Sequence, residues 1–309
     1  MRSWGPARAR RLDELAGPDG VIVGAAVDHR DSLRVALAKV GRAPTDEGLS
    51  ELKLAIAKAL SGAATVVLLD AEYSAAQALA AGVLPGDVAL AVALEAQGYG
   101  DLDEKTETTF LENWTAGDAA RLGASACKLL LPFRADIEVQ AHRQEAVVRE
   151  AVAACDRAGV ALVLEPIVYD VSDPGRFAEL VVAGAERLAG LSPDILKVQY
   201  PGSADACRAL DAACGPAVPW VLLGGGADES ILGAQIADAC QAGASGFIVG
   251  RTLWNNVVRL EDPIARTTEL YATSVPLLQR LATVARECAT PWRSRVGVIA
   301  APAAGTLPV

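Results

Sequence analysis

The chain has 309 residues, 52% of them apolar and 21% charged. That is enough to bury a full hydrophobic core, and it excludes a disordered or fibrous protein. The 28 basic and 38 acidic residues leave a net charge of −10, which argues against a nucleic-acid or anionic-membrane surface but not against a small anion held by backbone amides and one arginine. No charge-free apolar run is long enough to span a membrane. The opening segment, MRSWGPARARRLDELAG, lacks the apolar centre of a secretory signal and reads as an N-terminal helix. Six cysteines, at 127, 155, 207, 214, 240 and 288, are scattered without a CxxC pair, which favours a reduced, cytoplasmic chain over a disulfide framework. With only His29 and His142, no histidine-rich metal site is expected, and no cofactor is called for.

Short apolar runs of strand length alternate with amphipathic stretches. The first run spans 21–27 (VIVGAAV), followed by a helical stretch at 49–60 and further runs at 65–69 (TVVLL) and 88–94 (VALAVAL). A polar segment at 97–117 reads as a long loop near the active face. Then come a run at 126–131 (ACKLLL), a helix at 137–158, a run at 160–164 (VALVL) and a helix at 176–189. Runs at 195–199 (ILKVQ), 220–223 (WVLL) and 246–249 (GFIV) follow, with helices at 204–213, 229–242 and 262–286 between and after them. Near-continuous hydrophobicity is the mark of parallel strands covered on both faces. Strand–helix alternation over eight runs predicts a (β/α)8 TIM barrel. The rival, an open doubly wound sheet, lacks a GxGxxG after its first strand. No composition shift marks a second domain, so residues 1–309 read as one barrel domain with an N-terminal helix and a short loose tail, APAAGTLPV.

In such a barrel the functional groups gather at the C-terminal strand ends. Strand 1 ends in Asp28-His29-Arg30, strand 2 in Asp70 with Glu72 and Tyr73 beyond, strand 3 in Glu95, and strand 5 in Glu165. Lys128 lies inside strand 4 and Lys197 inside strand 6. A lysine among apolar neighbours is costly to bury as a cation, and the neutral amine that burial favours is the species that attacks a carbonyl to form a Schiff base. Lys197 fits that chemistry; an ion pair with a barrel carboxylate is the alternative. Strands of equal parity supply one interior layer, so Lys128 can approach Lys197, or it can simply pair with Glu95 or Asp28. Glu165, on the strand between them, can shuttle protons or serve as a counter-ion. Gly224, Gly225 and Gly226 after strand 7, with Gly250-Arg251 after strand 8, occupy the usual phosphate-binding position of these barrels, although three glycines also make a plain tight turn. Asp28 and Arg30 can bind substrate hydroxyls or an anion, or form a salt bridge at the barrel mouth. His29 can contact substrate or be structural.

Together the segments AAVDHRDSLR, LEAQGYG, ACKLLLPF, VLEPIVYD, DILKVQYP and GASGFIVGRTLW resemble the class I aldolases that include tagatose-1,6-bisphosphate aldolase and sulfofructose-1-phosphate aldolase. The resemblance runs from about Gly24 to Val257, with the lysine, glutamate and glycine-arginine segments in the family's order. It implies a TIM barrel and metal-free Schiff-base chemistry. Lys197 matches the imine-forming lysine, Glu165 the acid/base carboxylate, Lys128 the second active-site lysine, Asp28 the strand-1 aspartate, and Gly225 and Arg251 phosphate-binding positions. The chain departs from the family's pattern at His29, where glutamine is usual, at Gln199, where glutamate is frequent, and at Gly224-Gly225-Gly226, where a serine is usual. These departures bear on the substrate, whose variable end His29 would face.

The function expected is reversible cleavage of a phosphorylated ketose, of the tagatose- or fructose-1,6-bisphosphate kind, to dihydroxyacetone phosphate and an aldehyde. A sulfonated or carboxylated sugar phosphate is the alternative substrate, suited by a basic pocket near His29 and Arg30. A non-catalytic, sugar-phosphate-sensing regulator is a further alternative, disfavoured by the intact Lys128, Glu165 and Lys197. The expected partner is the sugar phosphate, with no nucleic acid and no membrane. Barrels of this class often associate, so a homo-oligomer is allowed for, although no feature of the sequence shows an interface.

Overall fold

A computed structural model describes residues 6–96 and 102–296. Eight strands are present: β1 (Ile22–Ala26), β2 (Val66–Leu69), β3 (Ala89–Ala93), β4 (Ala126–Pro132), β5 (Ala161–Ile167), β6 (Ile195–Gln199), β7 (Trp220–Leu223) and β8 (Gly246–Val249). They form a closed parallel barrel in chain order, with β8 pairing back onto β1. This is the (β/α)8 TIM barrel that the alternating runs predict. α1 (Pro6–Leu15) precedes β1, and α2 (Asp31–Lys39) and α3 (Asp46–Ser61) follow it. α4 (Ala75–Ala80), α5 (Ala116–Leu122), α6 (Glu138–Ala158), α7 (Pro174–Ala189), α8 (Ala204–Cys214) and α9 (Glu229–Ala242) each link one strand to the next. After β8 come α10 (Arg251–Trp254), α11 (Pro263–Glu269), α12 (Val275–Cys288) and α13 (Trp292–Val296).

Several local readings differ from the sequence expectation, α2 and α4 among them, since neither was expected. The helix expected at 262–286 is interrupted by a π turn at Leu270–Ser274, just before Pro276 in the first turn of α12. Proline has no N–H to continue the ladder, and the wider turn absorbs the break. β5 runs on through Ile167, which places Glu165 inside the strand. The segment expected to be loop through residue 117 turns helical at Ala116, because Thr115 and Asp118 cap α5 reciprocally. Residues 97–101 of that segment and the tail APAAGTLPV lie outside the described residues.

Period-2 alternation decides what each strand shows the barrel axis. Ile22 and Ala26, Val66 and Leu68, Ala91, Ala126, Val163, Ile195, Val221 and Ile248 form one buried apolar cluster. Leu12 and Leu15 of α1 and Trp292 of α13 join it and floor the barrel. Gly24 is required here, since a Cβ on it would sit 2.5 Å from Ile248 Cγ1. The opposite strand faces, with Val67, Leu129, Leu162, Leu196 and Phe247, pack under the helices in the larger cluster. Each fully buried Leu, Ile or Val there contributes about 1.5–3 kcal/mol relative to exposure. One step up from Ala126, Val163 and Ile195 the inward positions are Lys128, Glu165 and Lys197, so the interior passes from an apolar floor to a charged ceiling.

Candidate active site

The charged ceiling assembles side chains from five strand ends. Lys128 Nζ lies 2.6 Å from Glu95 Oε1, 2.8 Å from Asp28 Oδ2 and 3.3 Å from Glu165 Oε2. Lys197 Nζ lies 3.0 Å from the same Glu165 oxygen. All five groups are buried. Val163 pairs with Ile195, so two residues further on Glu165 stands abreast of Lys197. Burial by itself would raise the Asp28 carboxyl, but the Lys128 ammonium overrides it, helped by His29 and Lys197, and holds the group far below the usual carboxylate range.

The two lysines differ in their surroundings. Lys128 is ringed by three carboxylates, Asp28, Glu95 and Glu165. Lys197 is paired with Glu165 and lines a cavity of about 120 Å³ with His29, Gly224, Gly225, Gly226, Gly250 and Arg251. The expected phosphate-binding residues and the expected nucleophile therefore open into one space. Gly225 and Gly226 take the left-handed conformation, at φ 59° and 77°, which a glycine adopts without strain. A Cβ on Gly226 would approach the Arg251 guanidinium at 3.2 Å, and Arg251 Nη2 donates to Gly225 O at 3.0 Å. The arginine thus braces the glycine turn and adds charge beside it.

Of the strand-1 triplet, Asp28 faces Lys128, and His29 lines the cavity. Burial, reinforced by Arg251, Lys197 and Lys128 against the opposing Asp28, pushes the imidazole down to about 4, so the ring is neutral near pH 7. Arg30 donates to Glu72 Oε2 at 2.7 Å and to Glu95 O at 2.6 Å, as a salt bridge at the barrel mouth would.

A larger cleft of about 870 Å³ lies at the other end of the barrel, among the loops that precede the strands. Arg293 there pairs with Asp13 and Arg10 with Glu14, and its lining contains no lysine. The smaller cavity has the reactive chemistry. Among the described residues, no group of three or more His, Cys, Asp or Glu is arranged to hold a metal ion, and no helix is long and apolar enough to cross a membrane.

A family model described as DeoC/LacD family aldolase matches residues 22–256, which include every strand and the five charged groups of the ceiling. The chain belongs to the DeoC/LacD aldolase family. It is therefore an aldolase, a carbon–carbon lyase. It is 27% identical to a tagatose 1,6-diphosphate aldolase of Streptococcus pneumoniae (strain ATCC BAA-255 / R6), over 93% of this chain and 97% of that protein. It is 25% identical to the tagatose 1,6-diphosphate aldolase of Lactococcus lactis subsp. lactis, over 94% and 98%. In fold it is similar to a fructose-bisphosphate aldolase from Slackia heliotrinireducens, with TM-score 0.63, 17% identity and coverage of 91% of this chain and 90% of that one. It is also similar to an archaeal fructose 1,6-bisphosphate aldolase, with TM-score 0.59, 18% identity and coverage of 91% and 99%.

Within this aldolase, sequence reasoning passed over Glu95 as a site residue. It weighed the residue only as one partner for Lys128. The structure gives Glu95 a more central place, because its other oxygen accepts from Leu130 N at 3.0 Å and its backbone oxygen accepts from Arg30. The chain returns after β3 to bridge Glu95 with Phe110, which holds this carboxylate over β4. Its position just after an apolar run was the available signal. Gln199 spends both ends of its amide on Val168, accepting from its N at 2.7 Å and donating to its O at 3.3 Å. It clamps β6 to the end of β5, which a carboxylate could not do with the same two bonds. Behind β2, Lys53 of α3 pairs with Asp70, which also accepts from Ser74 Oγ and from the backbone of Glu72 and Tyr73. This second buried pair orders the loop that presents Glu72 to Arg30.

Proposed function

We propose that this protein is a class I, Schiff-base aldolase that reversibly cleaves a phosphorylated ketose to dihydroxyacetone phosphate and an aldehyde. The observation that carries the reading is the shared cavity, in which the Lys197 amine, 3.0 Å from Glu165, faces the Gly224–Gly226 turn and Arg251. A donor fragment with its phosphate on the glycine amides and Arg251 would present its carbonyl carbon to Lys197.

In this reading Glu165 takes a proton from Lys197, and the neutral amine attacks C2. The carbinolamine loses water to give an iminium. Glu165 then accepts the C4 hydroxyl proton, the C3–C4 bond breaks, and its electron pair moves into the iminium to give an enamine and the aldehyde. Protonation at C3 and addition of water release dihydroxyacetone phosphate and regenerate the amine. Lys128, held by three carboxylates, remains the fixed cation that lets Glu165 cycle between its two forms.

The relatives named tagatose 1,6-diphosphate aldolase support a bisphosphorylated ketose as substrate. Strand 1 does not favour a sulfonate over a 6-phosphate, since Arg30 is committed to Glu72 and Glu95 and the imidazole is neutral. All six cysteines are free thiols, in keeping with a reducing cytoplasm. The deciding experiment is borohydride trapping with dihydroxyacetone phosphate and peptide mass mapping. An adduct on Lys197 is expected. No adduct on folded protein, or one on Lys128, would refute this assignment, and ligand binding without turnover would favour the sensor.

A further inference from the structure

His29 is locked in place from several sides. Its ring meets Trp254 edge-on with centroids 5.1 Å apart, and Trp254 is itself anchored by its Nε1 donating to Ala26 O at 2.9 Å. Gly250 leaves room for the ring, since a Cβ there would lie 2.9 Å from His29 Cε1 and 2.7 Å from Ala26 O. The imidazole therefore stands between the phosphate-side residues Gly250 and Arg251 and the lysine side of the cavity. On the Schiff-base reading this sets the ring beside the three-carbon phosphate half of a ketose rather than at its variable end.

Two further observations bear on what the ring meets. Asp28 Oδ1, 3.6 Å from His29 Nδ1, is buried and has no hydrogen-bond partner among the described residues. A buried carboxylate oxygen without a donor is costly, and a ligand hydroxyl is a group that can supply one. An anion, by contrast, would be repelled by the ionised Asp28. The neutral imidazole beside it can hydrogen-bond a hydroxyl through one ring nitrogen and adds no charge.

We propose that His29, backed by Asp28, reads the hydroxyl on C3 of the donor ketone, and so makes the enzyme selective for a hydroxylated ketone phosphate over its 3-deoxy counterpart. The proposal rests on the Schiff-base reading of Lys197. A hydroxyl at C3 sits on the carbon that becomes the enamine nucleophile, so reading it fixes the rotation of the donor about C2–C3 as well as its identity.

The test is borohydride trapping of wild type, His29→Ala and His29→Gln with two ketones, dihydroxyacetone phosphate and hydroxyacetone phosphate, over a concentration series. Wild type is expected to be half-trapped at about tenfold lower concentration of the hydroxylated ketone, the scale of one hydrogen bond. In His29→Ala that ratio should collapse toward one, through a loss on dihydroxyacetone phosphate rather than a gain on the deoxy ketone. His29→Gln, which keeps a donor and an acceptor, should retain part of the ratio. Equal weakening of both ketones would put His29 on the phosphate or in the scaffold and overturn the proposal, as would an unchanged ratio in His29→Ala. No adduct with either ketone in wild type would instead sink the Schiff-base reading itself, and the proposal with it.

Discussion

Replacing Lys128 with methionine removes the ammonium that Asp28, Glu95 and Glu165 share at 2.8, 2.6 and 3.3 Å. Methionine fills much the same space, so the effect is electrostatic rather than a cavity. Removing one partner of a buried ion pair costs about 3–5 kcal/mol. Here three carboxylates lose their closest shared cation at once, and Glu165 keeps Lys197 at 3.0 Å. Against a total stability of about 5–15 kcal/mol for a domain, this is a large loss at pH 7. Its pH dependence separates charge from packing. In wild type the depressed Asp28 carboxyl adds stability that is present above its unfolded value and is lost only as the pH falls toward its folded one. Without Lys128, burial should raise the carboxyls in the folded state, so the variant should regain stability relative to wild type as they protonate at lower pH. Urea melts of both proteins at intervals from pH 8 to pH 5 measure this. A difference that narrows on acidification, and narrows further when Glu95→Gln is added to Lys128→Met, is expected. A difference independent of pH would refute the reasoning and make Lys128 a packing residue.

Glu165→Gln should lower kcat by about 10²–10⁴-fold, the range for loss of a general acid–base group, and steady-state assay with a phosphorylated ketose measures it. Arg251→Met should act chiefly on KM for a phosphorylated donor, by about ten- to a hundredfold for a lost charged contact, and much less on an unphosphorylated ketone; equal effects on both would remove Arg251 from the phosphate site. Because burial holds His29 at about 4 instead of 6.5, the folded protein binds fewer protons than the unfolded chain between those values, so stability falls as the pH drops through that window. Wild type should therefore lose about 3 kcal/mol more than His29→Gln between pH 7 and pH 4, at 1.36 kcal/mol per unit, and parallel melting curves would contradict a buried neutral ring.

The eight strands were legible because parallel strands covered on both faces must be continuously apolar, and the runs at 195–199, 220–223 and 246–249 coincide with β6, β7 and β8. The site was legible for a related reason: a lysine or glutamate inside such a run breaks a pattern that is otherwise costly to break. Lys128 and Lys197 announced themselves in this way, and Glu165, which follows the run at 160–164, stood out by its place on the strand between them. Glu95 did not, because it follows its run and reads like any polar strand end. Short helices such as α2 and α4 were missed because packing on the barrel, more than their local sequence, holds them helical.

Partnership is another matter. Asp28 and Lys128 are 100 residues apart, and whether Lys128 meets Asp28, Glu95, Glu165 or all three depends on the closing of β8 onto β1 and on the return of the chain from β3 to Phe110. The same closure commits Arg30 to Glu72 and Glu95, sets His29 against Gly250 and Trp254, and brings the glycine turn into one cavity with Lys197. Residue type and strand parity are local properties, written in the order of the amino acids. Which charges share a proton, and which side chain faces a ligand, follow from distances of about 3 Å between segments far apart in the chain, and only the closed barrel sets those.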